Sequence, residues 1–155
     1  MSIDATSQIN STSLENTLKL AAEIGSRLKG GEVIELISDL GGGKTVFVRG
    51  LAKGMGSTDQ VTSPTFTISR EYKAGNLELH HYDLYRLSGT GPGVVADELV
   101  ESIENPDITV VIEWSGAVED VLPKDRLKVE ITKTGDNTRE LKLTAGKDHR
   151  RLLKD

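Results

Sequence analysis

Ser38, Asp39, Leu40, Gly41, Gly42, Gly43, Lys44 and Thr45 follow one another directly after the apolar run 33–37, and a helix-compatible run, 46–53, comes next. Strand, glycine-rich turn and helix are the setting in which a chain wraps a phosphate with its own N–H groups. Consecutive glycines let the backbone approach the anion, and the helix N-terminus adds partial positive charge. In such a loop Lys44 reaches the outer phosphates and the Thr45 hydroxyl takes one position on Mg²⁺. Two acids extend the set. Asp83 ends the run His80-His81-Tyr82-Asp83, where a general base or an Mg²⁺-water carboxylate belongs. Glu113 ends the buried run 108–112 as the acid of a Walker B strand, placed to hold Mg²⁺ or polarise the attacking water. Trp114 follows it and is the only tryptophan.

The elements that must position these groups are legible in the pattern. Residues 33–37 and 108–112 read as buried strands, expected to lie parallel with ligand at their carboxyl ends. Thr12 and Glu15 have capping-box spacing, and Leu14, Leu18, Ala21, Ala22, Gly25 and Leu28 recur at helical intervals until Gly30 and Gly31. Phe47, Gly50 and Leu51 mark the buried side of the helix that begins at Lys44, with Gly54 and Gly56 as its end. Residues 66–72 and 77–82 read as a hairpin about the turn 74–76, and residues 126–133 and 138–144 as a second about Gly135-Asp136-Asn137. Strand alternation puts His80 and His81 on opposite faces, so they do not chelate one metal together and both read as hydrogen-bonding residues. Residues 94–104 read as a short helix with Asp97, Glu98, Glu101 and Glu104 outward, after a mobile loop at 88–93. Residues 117–122 read as a helical turn. The polar segment 1–11 reads as flexible, and 147–155 as a charged, frayed tail. The whole, 1–155, reads as one domain: a three-layer α/β P-loop NTPase fold with a mixed, mainly parallel central sheet.

Composition narrows the classes. The chain has no cysteine, which removes disulfides, thiolate zinc sites and thiol nucleophiles and suits a reducing cytoplasm. No apolar run approaches a membrane span. The formal net charge of −5 argues against independent nucleic-acid binding, which normally needs a basic face.

The blocks Ser-Asp-Leu-Gly-Gly-Gly-Lys-Thr, Val-Thr-Ser-Pro-Thr-Phe, His-Tyr-Asp-Leu-Tyr-Arg-Leu and Ile-Glu-Trp occur in this order. Together they resemble the TsaE (YjeE) family of bacterial P-loop ATPases, from about residue 14 to residue 143. The resemblance implies a cytoplasmic, ATP- and Mg²⁺-dependent ATPase required for N6-threonylcarbamoyladenosine at position 37 of tRNA. Its implied partners are TsaB and TsaD, whose complex it resets, with tRNA engaged only through that complex. It implies nucleotide contacts at Asp39, Leu40, Gly41, Gly42, Gly43, Lys44, Thr45 and Val46, with Thr65 in a switch and Trp114 beside the nucleotide. Ser13 and Arg139 fall near adenine-pocket positions. Thr45, Glu113 and Asp83 would serve the metal, and Lys44, Asp83 and Glu113 the chemistry. Ser38 stands where the family loop usually opens on glycine, and residues 88–95 are glycine-rich where the family is more acidic. A small-molecule kinase and a nucleotide-dependent interaction module are the alternatives. The kinase usually carries an arginine-rich lid, and residues 88–93 contain no arginine.

Overall fold

The structure is a computed structural model and describes residues 4–38, 43–61, 69–85 and 93–153. Among these, seven strands form one sheet: β1 (Ala5–Ser11), β2 (Val33–Ser38), β3 (Ser69–Ala74), β4 (Leu77–Asp83), β5 (Ile108–Glu113), β6 (Leu127–Lys133) and β7 (Arg139–Ala145), in the order β1-β7-β6-β2-β5-β4-β3. The middle four, β6, β2, β5 and β4, are mutually parallel. Both flanks are antiparallel, β3 on β4 at one edge and β7 with β1 at the other. The sheet is therefore mixed with a parallel centre, and the expected pairing of the two apolar runs is found as β2 beside β5.

Helices α1 (Leu14–Gly25) and α2 (Lys44–Met55) cover one face through Ala21, Ile24, Phe47, Val48 and Leu51. On the other face, α3 (Gly93–Glu104) packs Leu99 on Val110 and Ile112, and the kinked 3-10 helix Ser115–Val121 adds Val118. β5 explains its own composition: every residue from Ile108 to Glu113 is buried because helices lie on both sides. The α1–α2 contact depends on glycine. A Cβ on Gly54 would lie 2.0 Å from the Ala22 carbonyl oxygen, and one on Gly50 would lie 2.5 Å from the Ala21 Cβ. Gly54 thus sits inside α2 as a packing residue, and Gly56, with φ 94°, ends it.

Three expectations are corrected. Residues 5–11 are not loose: they pair along β7 from Ala5 opposite Ala145 to Ser11 opposite Arg139. The cap of α1 is Ser13, whose hydroxyl accepts from the Asn16 N–H at 2.9 Å, while Asn16 Oδ1 accepts from the Thr12 N–H at 3.1 Å. The cap lies one residue later than Thr12 and Glu15 suggested, and Asn16 answers the N–H of the residue before the cap and not that of Ser13 itself. The chain end is a 3-10 helix, Lys147–Leu153, with His149 and Leu152 buried. Arg151 binds both Glu32 and the Arg27 carbonyl, and Arg27 donates back to the Leu152 carbonyl at 2.9 Å. Burial would raise the Glu32 carboxyl, but Arg151, the Lys29 N–H and Thr109 outweigh it and hold the group below its usual range. His149 accepts from the Val33 N–H at 3.1 Å, so its Nδ1 carries the proton given to Asp125 at 2.8 Å.

Candidate functional site

Three neighbouring parallel strands, β2, β5 and β4, end at one edge, and each delivers a polar group there. β2 ends on Ser38 and α2 opens on Gly43, whose φ of 106° is a left-handed conformation that glycine adopts without steric cost. Lys44 is the first residue of α2 and is buried. Its ammonium donates to the Ser38 carbonyl at 3.1 Å, lies 3.7 Å from Glu113 Oε1 and sits 5.3 Å from the centre of the Trp114 ring. Thr45 and Val46 are half-buried in the same first turn.

Glu113 is only 4% exposed. Its second oxygen is bonded by His81 Nε2, from β4. The His81 ring is fully enclosed, and its Nδ1 has no partner among the described residues. The ring thereby fixes the orientation of the carboxylate from the neighbouring strand. His81 was read from the sequence as a hydrogen-bonding residue, not as part of the site. Strand alternation held the signal, because residues 81 and 83 must share a face.

Asp83 lies directly opposite Glu113 in the β4–β5 ladder. Its carboxyl is pushed above the usual range by burial, with the Glu113 charge adding to this against the Tyr85 N–H, His81 and Lys44. Because its folded-state value exceeds the ordinary 3.8, Asp83 stabilises the fold when protonated and costs stability as pH rises through the folded value. We therefore expect Asp83→Asn to melt at a higher temperature than the parent at pH 7, the difference shrinking below about pH 4. Calorimetry across that range checks this, and a variant less stable at pH 7 refutes it.

Trp114 follows Glu113 with φ 57° and ψ 53°, the one described non-glycine residue in the left-handed region. That twist turns the chain out of the sheet and leaves the indole 39% exposed, beside the Tyr85 ring at 4.9 Å between centroids. Beneath it, Ser115 donates to the buried Glu35, which also accepts from Arg126 Nε at 3.0 Å. A cavity of about 100 Å³ is lined by Ile37, Ser38, Lys44 and Trp114.

At the adjoining sheet edge, a side chain on Gly43 would meet Arg139 Nε at 3.5 Å. Arg139 is buried, and its Nη1 donates to the Gly135, Asp136 and Thr138 carbonyls. Its strand partner Ser11 lies two residues before Ser13, so both expected adenine-side residues reach the loop end of the sheet. The Ser13 hydroxyl is occupied in capping α1. Asp39, Leu40, Gly41, Gly42 and Thr65 lie outside the described residues, as does most of the loop 88–93. The donor set suits Mg²⁺: hard oxygens from Glu113, Asp83 and the Thr45 hydroxyl, with two adjacent carboxylates that a cation would relieve.

Residues 11–141 match the family model "Threonylcarbamoyl adenosine biosynthesis protein TsaE". The chain belongs to the TsaE family. Among curated TsaE proteins, that of Bacillus subtilis is 39% identical over 131 residues, covering 84% of this chain and 80% of the relative. The Nostoc protein is 38% identical over 145 residues, 93% and 89% of the two chains. The Aquifex aeolicus protein is 41% identical over 125 residues, 76% and 89%. The crystal structure of Bacillus subtilis YdiB superposes with a TM-score of 0.75 at 32% identity, over 97% of this chain and 93% of that one. The TsaE match takes in β2, α2, β4 and β5 with the whole polar cluster, and ends inside β7.

Proposed function

We propose that this TsaE-family chain is an ATP-binding, Mg²⁺-dependent ATPase that serves N6-threonylcarbamoyladenosine formation in cytoplasmic tRNA, acting with TsaB and TsaD. The observation that carries the reading is the meeting of Lys44, Glu113 and Asp83 at the ends of three parallel strands, beside a helix that opens on a left-handed glycine. The family description supplies the pathway. Lys44 and the N–H groups at the start of α2 take the phosphates, while Thr45 and Glu113 hold the metal. Bound Mg²⁺ supplies charge neutralisation at the transferring phosphoryl group. Asp83, with its raised proton affinity, accepts or relays a proton from the attacking water. His81 keeps the Glu113 carboxylate in one orientation, and Trp114 with Tyr85 forms an aromatic wall next to Lys44. A net charge of −5 leaves tRNA contact to the partners. No described helix is long and apolar enough to cross a membrane.

The test is steady-state ATP hydrolysis by the purified chain, alone and with TsaB–TsaD, beside Lys44→Ala. Slow turnover that rises with the partners and vanishes in the variant is expected. Turnover indifferent to the partners overturns the reading and favours a small-molecule kinase or a generic NTPase.

A further inference from the structure

On the sheet face opposite the lysine cluster, the β3–β4 hairpin gathers a second set of polar groups. Glu71 pairs directly across from His80, and Glu78 precedes His80 by two residues, so all three share one face. One donor atom from each lies within 4.8 Å of the other two. The His80 residue is 7% exposed, and its ring is held from outside the group: Nδ1 shares a hydrogen bond of 3.1 Å with the Ser102 hydroxyl on α3. Ser102 is itself tied to the Tyr82 hydroxyl at 2.9 Å. Nε2 is thereby turned to Glu78, 3.0 Å away.

The surroundings are anionic. A polar cavity of about 230 Å³ opens here, walled by Glu71, His80, Glu98 and Glu101. Burial, followed by the charges of Glu98, Glu71 and Glu101, raises the Tyr82 hydroxyl above its ordinary value, against the Ser102 hydrogen bond. Lys73, across from Glu78, makes no ion pair among the described residues. One imidazole nitrogen and two carboxylates, with the outer imidazole nitrogen anchored by a hydroxyl, is the arrangement of a metal ligand with its supporting partner.

We propose that Glu71, Glu78 and His80 bind a divalent transition metal of the zinc class, separate from the Mg²⁺ position at Glu113. Imidazole favours Zn²⁺, Co²⁺ or Ni²⁺ over Mg²⁺. The ion clips the edge strand β3 to β4 at the Glu71–His80 rung, on the strand that carries His81 and Asp83. Neither the ligands nor the test depends on the nucleotide reading.

The experiment uses the untagged, chelator-stripped full chain without nucleotide. Zn²⁺ is titrated in competition with a chromophoric chelator, and Co²⁺ is used to localise paramagnetic broadening in amide NMR spectra. One equivalent is expected to bind, with broadening over residues 70–82 and at Ser102. Glu71→Gln should weaken it at least about tenfold, and Ser102→Ala by about 10- to 100-fold. Glu113→Gln should leave zinc affinity unchanged. His80→Ala should abolish the binding, and should that variant fail to fold, Glu71→Gln at an exposed position decides alone. Absence of binding below millimolar zinc, equal affinity in Glu71→Gln, or broadening centred on Lys44 or His149 overturns the site.

Discussion

Glu113→Gln is expected to lower ATP turnover by at least about 100-fold while leaving the affinity for metal-free nucleotide equal or tighter, since on the proposed reading it removes a carboxylate that holds Mg²⁺, worth several kcal/mol at the transferring phosphoryl group. The geometry explains the split. Glu113 faces the lysine and the neighbouring Asp83, so its charge competes with any phosphate for Lys44 and repels it. The amide keeps the shape and the acceptor for His81 but cannot take a proton or bind metal as strongly. Lys44→Ala should do the reverse and lose binding itself. Single-turnover hydrolysis and a nucleotide titration on both variants separate the cases. Turnover within tenfold of the parent removes Glu113 from the chemistry. A Glu113→Gln chain that binds ATP, fails to hydrolyse it and still supports modification makes hydrolysis dispensable.

Glu35→Ala should destabilise the fold by about 3 kcal/mol, the lower end of what breaking a buried ion pair costs. Glu35 is 5% exposed and answers two donors, the Ser115 hydroxyl and Arg126 Nε. Burial alone would lower the Arg126 pKa, but Glu119 and Glu35 more than offset it, and because an arginine does not deprotonate in proteins, removing Glu35 leaves its charge short of a partner. Its remaining partners, Glu119 and the Pro123 carbonyl at 2.8 Å each, limit the loss. Against a total stability of about 5–15 kcal/mol this is a large fraction. Because Ser115 follows Trp114, the same variant should shift the tryptophan emission. A urea midpoint equivalent to a loss under about 1 kcal/mol would show that the network is not structural.

What was legible in the sequence was whatever depended on local residue type and period. The apolar runs that became β2 and β5 announce burial on both faces, and their terminal residues announce the polar edge. The hairpins were visible through their turns. β1 was not, because an edge strand with one solvent-facing side needs few apolar residues, and Ile9 alone packs against the core. Its stability comes from β7, more than a hundred residues later in the chain. The C-terminal helix misled for a related reason: its polar residues are many, yet Arg151 and His149 turn theirs inward onto Glu32 and Asp125. His81 was recognised as a hydrogen-bonding residue, but its partner Glu113 is known only once β4 is seen beside β5. The cap of α1 moved by one residue because Thr12 and Ser13 are chemically equivalent caps, and only backbone geometry chooses between them.

The resting contacts of Lys44 bear on selectivity. With its ammonium in contact with the Ser38 carbonyl, Glu113 and the indole, Lys44 is not freely offered to a stray anion. A metal-free phosphate must win the lysine from Glu113 and then sit beside two carboxylates. On the proposed reading, a magnesium-loaded nucleotide would offer those carboxylates a cation in exchange for the lysine, so each of its halves would make room for the other. By linkage the benefit is reciprocal: magnesium tightens nucleotide binding by the factor by which nucleotide tightens magnesium binding. On the proposed reading, inorganic phosphate and uncomplexed nucleotide are therefore expected to compete weakly, and a competition titration with and without Mg²⁺ checks this.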